Sequence, residues 1–332
     1  MPNTDLENFR IMLEGGTPDA VVNGWAPVEE PTDPVGISLR AAYPGCPPTK
    51  NKWGVTLAWP EGEPGVMPLT SDDLKALPDI SAWEDYVTAP DLEEAYHADW
   101  SDALAQCEDI RSRGKLAMAH MSTGIFEQMH HLMGFEDALM SFYIDPDATK
   151  GLIDLICNWK LRYIEILVEK LHPDAILFHD DWGSKQTLFM SPEIWREFLK
   201  PAYTKIYGLM NENNIIGIHH SDSFLEPIVQ DIVDVGIKCW QGVLPQNDIP
   251  KLQAQTQGKL IYMGGIDAAI VDTADWTEEV VRKEVDRAWD AYVPGGSYIP
   301  MLTYGKPGPG IFKGVVETIT DEVAKLNEKY YG

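Results

Sequence analysis

The sequence predicts a single α/β domain over residues 1–332, folded as a (β/α)8 (TIM) barrel whose long N-terminal loops cover the barrel mouth. First, apolar strand-like runs alternate with helical patterns from about residue 91 onward, which favours parallel strands joined by right-handed crossovers. Second, two of these runs pass directly into clusters of histidine and aspartate, as expected where barrel strands meet catalytic loops. Third, a chain of 332 residues suits one barrel.

Seven strands are predicted along the chain. They lie near Asp19 to Trp25, Lys115 to His120, Asp174 to His179, Ile215 to His219, Ile237 to Gln241, Leu260 to Gly264 and Ser297 to Pro300. Helical patterns separate the later strands, and the longest covers Pro146 to Leu171. The region after the first strand is rich in Pro, Gly and Trp, which predicts long loops, short strands and the missing eighth strand. Loops of this length are often functional, so we expect them to cover a pocket.

Composition argues against several classes of protein. The chain has 26 Lys and Arg against 52 Asp and Glu, a net charge of −26, which disfavours nucleic acid and anionic membranes as partners. It has no secretory leader and no apolar run of about 18 residues, so a cytoplasmic protein is expected. The four cysteines form no Cys-x-x-Cys pair. No phosphate-binding loop, dinucleotide fingerprint or Gly-x-Ser-x-Gly elbow is present.

The first histidine and aspartate cluster follows the predicted strand that ends near residue 178. It consists of His179, Asp180 and Asp181, and Trp182 continues it with an aromatic ring. Side chains alternate along a strand, so about half of the cluster is expected to face the barrel mouth. Either aspartate alone can instead cap the next helix or fix a loop.

The second cluster, His219, His220 and Asp222, lies one strand later. His220 and Asp222 are two residues apart, so their side chains are expected on one face, close enough to share a metal ion. A hydrogen-bonded pair without metal is the alternative, because a metal site needs a third ligand. Glu127 is a candidate for that ligand or for a general acid, and its alternative is a solvated residue in a first helical turn.

Other polar and aromatic residues are predicted around the same mouth. Gln241 follows the next strand, and Trp25, Trp240 and Tyr304 lie at predicted strand ends or in loops. Aromatic side chains at a barrel mouth suit a planar or apolar ligand. Some of them can equally belong to the core.

Seven short segments occur in the order found in a known superfamily. They are Asn51-Lys-Trp-Gly-Val55, Thr123-Gly-Ile-Phe-Glu127, Leu132-Met-Gly-Phe135, His179-Asp-Asp-Trp-Gly183, Met190-Ser-Pro-Glu193, His220-Ser-Asp222 and Gly264-Gly-Ile-Asp267. Together they make the chain resemble the uroporphyrinogen decarboxylase superfamily, and more closely its branch of corrinoid-dependent methyltransferases, which includes the methyltransferase components of O-demethylases. The resemblance implies a (β/α)8 barrel with its pocket at the carboxyl ends of the strands.

Two departures from this superfamily narrow the prediction. The decarboxylases open with an arginine-rich segment that holds a polycarboxylate, whereas this region has only Arg10 and Arg40. The methyltransferase branch usually binds zinc through a His-x-Cys pair and a later cysteine. His220 matches the histidine, but Asp222 stands in place of the first cysteine, and residues 297–304 contain none. A site of histidine and carboxylate suits an oxygen-containing substrate better than a thiol.

The residues and the resemblance together predict a methyltransferase that demethylates a methyl ether, expected to be a methoxyaromatic, and passes the methyl group to the cobalt(I) of a separate corrinoid protein. The corrinoid would arrive on that partner, because the chain has no Asp-x-His-x-x-Gly motif. Transfer to a folate or thiol, a decarboxylase, and a barrel that only binds are the alternatives, and a homodimer is left open. The expected roles are catalysis by His179, Asp181, Glu127 and His220; substrate binding by Asp180, Trp182, His219, Trp240, Gln241, Tyr304 and Trp25; and binding of a Zn²⁺ ion, where one is used, by His220, Asp222 and Glu127.

Overall fold

Seven parallel strands form one curled sheet in the computed structural model, which describes residues 3–61, 65–304, 307, 308 and 310–332. Each of these strands pairs with the one that precedes it and the one that follows it in the sheet, in chain order. The α/β class and the parallel sheet are therefore confirmed, and no eighth strand pairs with this sheet within those residues. The strands are β1 (Val28–Glu29), β5 (Leu116–Met121), β6 (Ala175–His179), β7 (Ile216–His220), β8 (Cys239–Val243), β9 (Ile261–Ile266) and β10 (Tyr298–Leu302).

Helices connect consecutive strands from β5 onward, as crossovers between parallel strands require. A π-helical turn, Trp195–Leu199, leads into the helix that begins at Lys200. None of the helices within the described ranges is long and apolar enough to cross a membrane. The helices are α1 (Asp5–Leu13), α2 (Pro34–Leu39), α3 (Trp83–Tyr86), α4 (Glu93–Tyr96), α5 (Ser101–Ser112), α6 (Ile125–Met133), α7 (Phe135–Ile144), α8 (Pro146–Lys170), α9 (Pro192–Ile194), α10 (Lys200–Glu212), α11 (Val229–Asp234), α12 (Ile249–Thr256), α13 (Ala268–Val271), α14 (Glu278–Tyr292) and α15 (Val315–Tyr331).

The Pro-rich region after β1 contains a small antiparallel sheet of β2 (Thr49–Lys50), β3 (Thr56–Ala58) and β4 (Met67–Pro68). The chain that follows it packs on α6 and α7. The Leu77 amide donates to the Leu132 carbonyl at 2.9 Å, and the Lys75 ammonium lies 2.6 Å from the Asp137 carboxylate. The expectation that these loops cover the barrel mouth stays a prediction.

The predicted first strand over residues 19–25 is wrong, because the chain turns there. Gly24 has φ +56°, and the Val28 amide donates back to the Trp25 carbonyl at 3.1 Å. The Val21 amide donates to the Asn327 Oδ1 in α15 at 2.9 Å, and the Asn327 Nδ2 donates to the Val21 carbonyl at 2.8 Å. A side-chain amide thus replaces the strand partner, and the sheet begins only at Val28.

Two apolar clusters lie on opposite faces of the curled sheet. The inner cluster draws side chains from all seven strands, among them Leu177, Ile218 and Cys239, and α1 adds Phe9 and Met12. The outer cluster lies between strands and helices and contains alternate residues of β5, β6, β8, β9 and β10. Because successive side chains point to opposite faces, this assignment decides which strand-end residues face the pocket.

Candidate active site

Four neighbouring strands carry a polar residue on the inner face of the sheet, at or near their carboxyl ends. Leu116 and Met118 belong to the inner cluster, so His120 shares their face. The same alternation places His179 of β6, His220 of β7 and Gln241 of β8 on that face. These residues lie at the carboxyl end of the sheet, which we call the mouth and where barrel enzymes place their catalytic groups.

An imidazole–carboxylate pair occupies the inner side of the mouth. The Glu127 Oε2 lies 3.0 Å from the His179 Nδ1, and Glu127 comes from the first turn of α6, where it also accepts from the Gly124 amide at 3.3 Å. Burial raises the pKa of Glu127, but the adjacent His179 outweighs it and holds the value at about 2. Burial lowers the pKa of His179, whereas Glu127 raises it, to about 9. The pair therefore holds a proton on His179 at the mouth.

His220, the second histidine on the inner face, is held by Gln241 of the next strand. The His220 Nδ1 lies 2.5 Å from the Gln241 Oε1, and the Gln241 Nε2 donates to the Tyr304 carbonyl at 2.9 Å. The rings of His179 and His220 are 4.3 Å apart between centroids. Burial, followed by the charge of His179, keeps the pKa of His220 well below its usual range. His220 is thus a neutral imidazole beside a charged one.

Two aspartates complete the inner side of the mouth. The Asp222 amide donates to the Asp181 Oδ1 at 3.0 Å, which orients that carboxylate. Burial, with help from Glu127 and Asp222, raises the pKa of Asp181 to about 7. Burial also raises the pKa of Asp222, to about 6. Both carboxyl groups can therefore exchange protons near neutral pH.

Three side chains at the mouth are arranged so that they could hold a metal ion. One potential ligand atom from each of His179, Asp181 and His220 lies within 4.8 Å of the other two. This set shares only His220 with the predicted one. β7 ends at His220, so strand alternation does not extend to Asp222, and Glu127 lies behind His179 as its hydrogen-bond partner.

Asp180 does not face the pocket, contrary to the prediction that it binds substrate. It is fully buried and accepts from the amides of Ile125, Phe126 and Glu127 at 2.9, 3.0 and 2.8 Å, with the Tyr203 hydroxyl as a further donor. Burial raises the pKa of Asp180, and the amide hydrogen bonds oppose that shift. The carboxylate caps the N-terminus of α6 and so fixes Glu127.

Local backbone shape allows this cap to form. A Cβ atom at position 124 would overlap the side chain of Asp180, so only glycine fits between β5 and α6. The Thr123-Gly-Ile-Phe-Glu127 segment therefore encodes a close approach of the α6 N-terminus to β6, in addition to supplying Glu127.

His219, Trp182 and Trp240 also belong to the outer layer, where all three are fully buried. The two ring nitrogens of His219 lie 2.7 Å from the Tyr207 hydroxyl and 3.1 Å from the Asp180 carbonyl. Trp182 stacks on His219 with 4.0 Å between ring centroids. The Trp240 indole donates to the Ser221 carbonyl at 2.8 Å. Because these groups bond to protein and face the helices, the prediction that they bind substrate is not supported.

The last two predicted aromatic residues differ in position. Trp25 precedes β1, which places it at the amino end of the sheet, opposite the mouth, and it packs against the inner cluster there. It therefore lies at the end of the sheet away from the mouth. Tyr304 follows β10 at the mouth, and its hydroxyl donates to the Asp272 carboxylate at 2.8 Å. Its role in substrate binding stays a prediction.

Sequence reasoning missed one inward residue, His120. It was placed at a strand end but given no role, although Leu116, Met118 and His120 share a strand face by spacing alone. Its Nδ1 lies 3.7 Å from the Glu30 Oε1.

Comparisons with known proteins give the family of the chain and a structural relative of its fold. Residues 51–311 match the family model described as uroporphyrinogen decarboxylase (URO-D), so the chain belongs to that family. Among solved structures, a methyltransferase from Methanosarcina mazei aligns with a TM-score of 0.65 and 16% identity over 99% of each chain. A glycosylated endo-β-1,4-xylanase from Gloeophyllum trabeum aligns with a TM-score of 0.42 and 9% identity, over 70% of this chain and 83% of that one. The chain matches no curated protein sequence.

Proposed function

We propose that this protein is a methyltransferase that removes the methyl group of a methyl ether, preferably a methoxyaromatic compound, and delivers it to the cobalt of a separate corrinoid protein. Membership of the URO-D family supports an enzyme with its pocket at the mouth, and the structural likeness to a methyltransferase supports the fold. The carrying observation is the cluster of His179, Asp181 and His220, which contains imidazole and carboxylate groups and no thiol.

The chemistry requires activation of the ether oxygen. The bond between methyl carbon and oxygen breaks, its electron pair stays on oxygen, and the oxygen then takes a proton to become a hydroxyl. The reduced corrinoid supplies the electron pair that forms the new bond to the methyl carbon. His179 holds a proton at the mouth against Glu127, so it can donate that proton to the departing oxygen.

The same cluster also fits a zinc ion. The donors are nitrogen and oxygen atoms that zinc accepts. Each histidine has its Nδ1 bound to a second side chain, His179 to Glu127 and His220 to Gln241, and this leaves the other ring nitrogen for a metal. The Asp222 amide orients Asp181 in the same way. Such an ion would polarise the ether oxygen as a Lewis acid.

A spectroscopic assay tests the proposed reaction. The purified protein is mixed with reduced corrinoid protein and a panel of methoxyaromatics, and the absorption of methylated cobalt is followed. We expect a spectral change that requires both the donor and this protein. Release of CO₂ from a porphyrinogen, without a spectral change for any donor, would contradict the proposal.

Metal analysis separates the two ways of activating the oxygen. If zinc is the activator, the wild-type protein contains about one equivalent per chain, His220→Ala and Asp181→Ala lose it, and Asp222→Ala retains it. Asp222→Ala is the matched control, because Asp222 lies outside the cluster. Active protein that is free of metal assigns the activation to His179 and Glu127 alone.

A further inference from the structure

Asp272 lies outside the candidate metal ligands, yet it binds the part of the chain that adjoins them. It follows α13 and is 6% exposed. Its Oδ2 accepts from the Tyr304 hydroxyl at 2.8 Å and from the Ile311 amide at 2.7 Å. Its Oδ1 accepts from the Phe312 amide at 2.8 Å, and a Cβ atom at Gly310 would lie 2.8 Å from Oδ2. A buried carboxylate with three donors holds them firmly, so Asp272 fixes the position of Tyr304 after β10.

The backbone carbonyl of Tyr304 determines the orientation of the Gln241 amide. A glutamine side chain ends in an oxygen that accepts and a nitrogen that donates, and a half-turn exchanges them. The Gln241 Nε2 lies 2.9 Å from the Tyr304 carbonyl and 3.8 Å from the Met301 sulfur, and both of these atoms are acceptors. Gln241 is fully buried, so the reversed orientation would place its oxygen against two acceptors at a cost in stability. Its Oε1 is therefore turned away from Tyr304 and toward His220.

The tautomer of His220 follows from that orientation. The His220 Nδ1 lies 2.5 Å from the Gln241 Oε1. A carbonyl oxygen can only accept, so Nδ1 carries the proton. A neutral imidazole has one ring proton, and the Nε2 of His220 therefore keeps its lone pair. A lone pair on Nε2 can bind a metal ion or accept a hydrogen bond at the mouth, whereas a protonated Nε2 can do neither.

We propose that Asp272 is a positioning residue that holds His220 in the tautomer with its proton on Nδ1. It acts through the Tyr304 carbonyl and the Gln241 amide. Without Asp272, the chain at Tyr304 can shift, and the Gln241 amide can turn and donate to the His220 Nδ1. The ring proton of His220 then moves to Nε2. The consequence for the rate rests on the proposed function, but the tautomer itself does not.

NMR of the histidine rings tests this inference, because protonated and unprotonated ring nitrogens have different ¹⁵N chemical shifts. The protein is labelled with ¹⁵N-histidine, freed of metal with a chelator and checked for folding by thermal unfolding. The signals that His220→Gln loses belong to His220. We expect the proton on Nδ1 in the wild type. Asp272→Ala should shift the ratio of tautomers toward the Nε2 form by about three- to tenfold, the worth of one hydrogen bond.

A second variant covers the case in which Asp272→Ala does not fold. Tyr304→Phe removes only the hydroxyl, and Asp272 keeps its bonds to the Ile311 and Phe312 amides. It should shift the ratio in the same direction, by about threefold. An unchanged ratio in Tyr304→Phe would contradict the proposed route from Asp272 to His220.

Asp267→Ala is the matched control. Asp267 lies at the other end of α13, where it accepts from the Ala269 amide at 3.0 Å. This variant also removes a carboxylate that caps backbone amides, but it leaves the contact with Tyr304 in place, so the ratio should equal that of the wild type. An equal shift in Asp267→Ala and Asp272→Ala would show a general loosening of α13 and would overturn the inference.

The inference and the proposed function fail in different ways, because the tautomer is measured without a methyl donor or a corrinoid protein. A shifted ratio in the variants of a protein that transfers no methyl group supports the role of Asp272 and contradicts the proposed function. Methyl transfer by a wild-type protein whose His220 carries its proton on Nε2 overturns the inference and leaves the proposed function intact. If both are correct, Asp272→Ala also slows methyl transfer by about the factor by which the ratio changes.

Discussion

His219 and His220 are adjacent in sequence, yet their side chains point to opposite faces of the sheet. His219 has both ring nitrogens bound to protein groups and stacks on Trp182. His220 faces the mouth with one nitrogen held by Gln241. Burial lowers the pKa of both, to about 3 for His219. The difference shows that side-chain direction, rather than residue type or burial, separates a structural histidine from a candidate catalytic one.

Asp180 and Asp181 repeat the same division one strand earlier. Asp180 points outward and caps α6, whereas Asp181 points inward and joins the candidate metal ligands. We call His179, Asp181, His220 and Gln241 the inner set, and Asp180, Trp182, His219 and Trp240 the outer set. If this division is correct, substitutions in the inner set reduce activity, and substitutions in the outer set mainly reduce stability.

The largest expected effect belongs to His179 in the inner set. His179→Ala should slow methyl transfer about 100- to 10,000-fold, the range that a general acid contributes. Its melting temperature should fall as well, because the buried Glu127 carboxylate loses its partner, so the rate is measured at a temperature at which both proteins are folded. Methyl transfer in the corrinoid assay and thermal unfolding are measured on the same preparation. A variant that keeps its activity would exclude His179 from the reaction.

The next effect belongs to Asp180 in the outer set. Asp180→Ala leaves three amides at the start of α6 without an acceptor, so the free energy of unfolding should fall by about 3–5 kcal/mol. Asp181→Ala, the matched inner control, should lose about 1 kcal/mol or less. Urea unfolding at pH 7 measures both. Equal destabilisation by the two substitutions would remove the distinction between the sets.

A smaller effect concerns Lys160 of α8, behind the outer set. Its side chain is buried, with the Ser122 carbonyl 3.3 Å from its Nζ, and burial lowers its pKa from 10.5 to about 8. Between these values the unfolded chain binds more protons than the folded one, so the stability conferred at this position rises with pH. Lys160→Met should be more stable than the wild type by up to about 3 kcal/mol at pH 7.

The advantage of Lys160→Met should shrink as the pH rises from about 8 to 10.5. Urea unfolding of both proteins across this range tests it, and other titrating groups cancel in the difference. Stability curves that run parallel over the whole range would show that the lysine keeps its ordinary pKa in the fold.

The strand ends could be located from the sequence, but the direction of their side chains could not. The predicted strands near Asp174 to His179 and Ile215 to His219 match β6 and β7 closely. Both faces of a parallel strand in such a fold are apolar, so the residues before His179 and His219 give no alternation from which to assign a face. For this reason Trp182 and Trp240 were expected at the mouth.

The metal ligands and the first strand escaped prediction for other reasons. Asp181 and His179 lie close to His220 because β6 and β7 pair with His179 opposite His220. The register between two strands cannot be predicted from the sequence of either strand alone. The residues near Val21 are apolar enough for a strand. The chain turns at Gly24, however, and the side chain of Asn327 makes the hydrogen bonds to Val21 that a neighbouring strand would make. Asn327 lies 306 residues away in the chain.

The most direct test of the division between inner and outer sets is the rate of methyl transfer from a methoxyaromatic donor for His220→Gln and His219→Gln. His220→Gln should lose about 100-fold or more in rate with little change in melting temperature. His219→Gln should keep its rate within about threefold when assayed below its lowered melting temperature. Equal loss of rate in both variants, or greater loss in His219→Gln, would contradict the division into inner and outer sets.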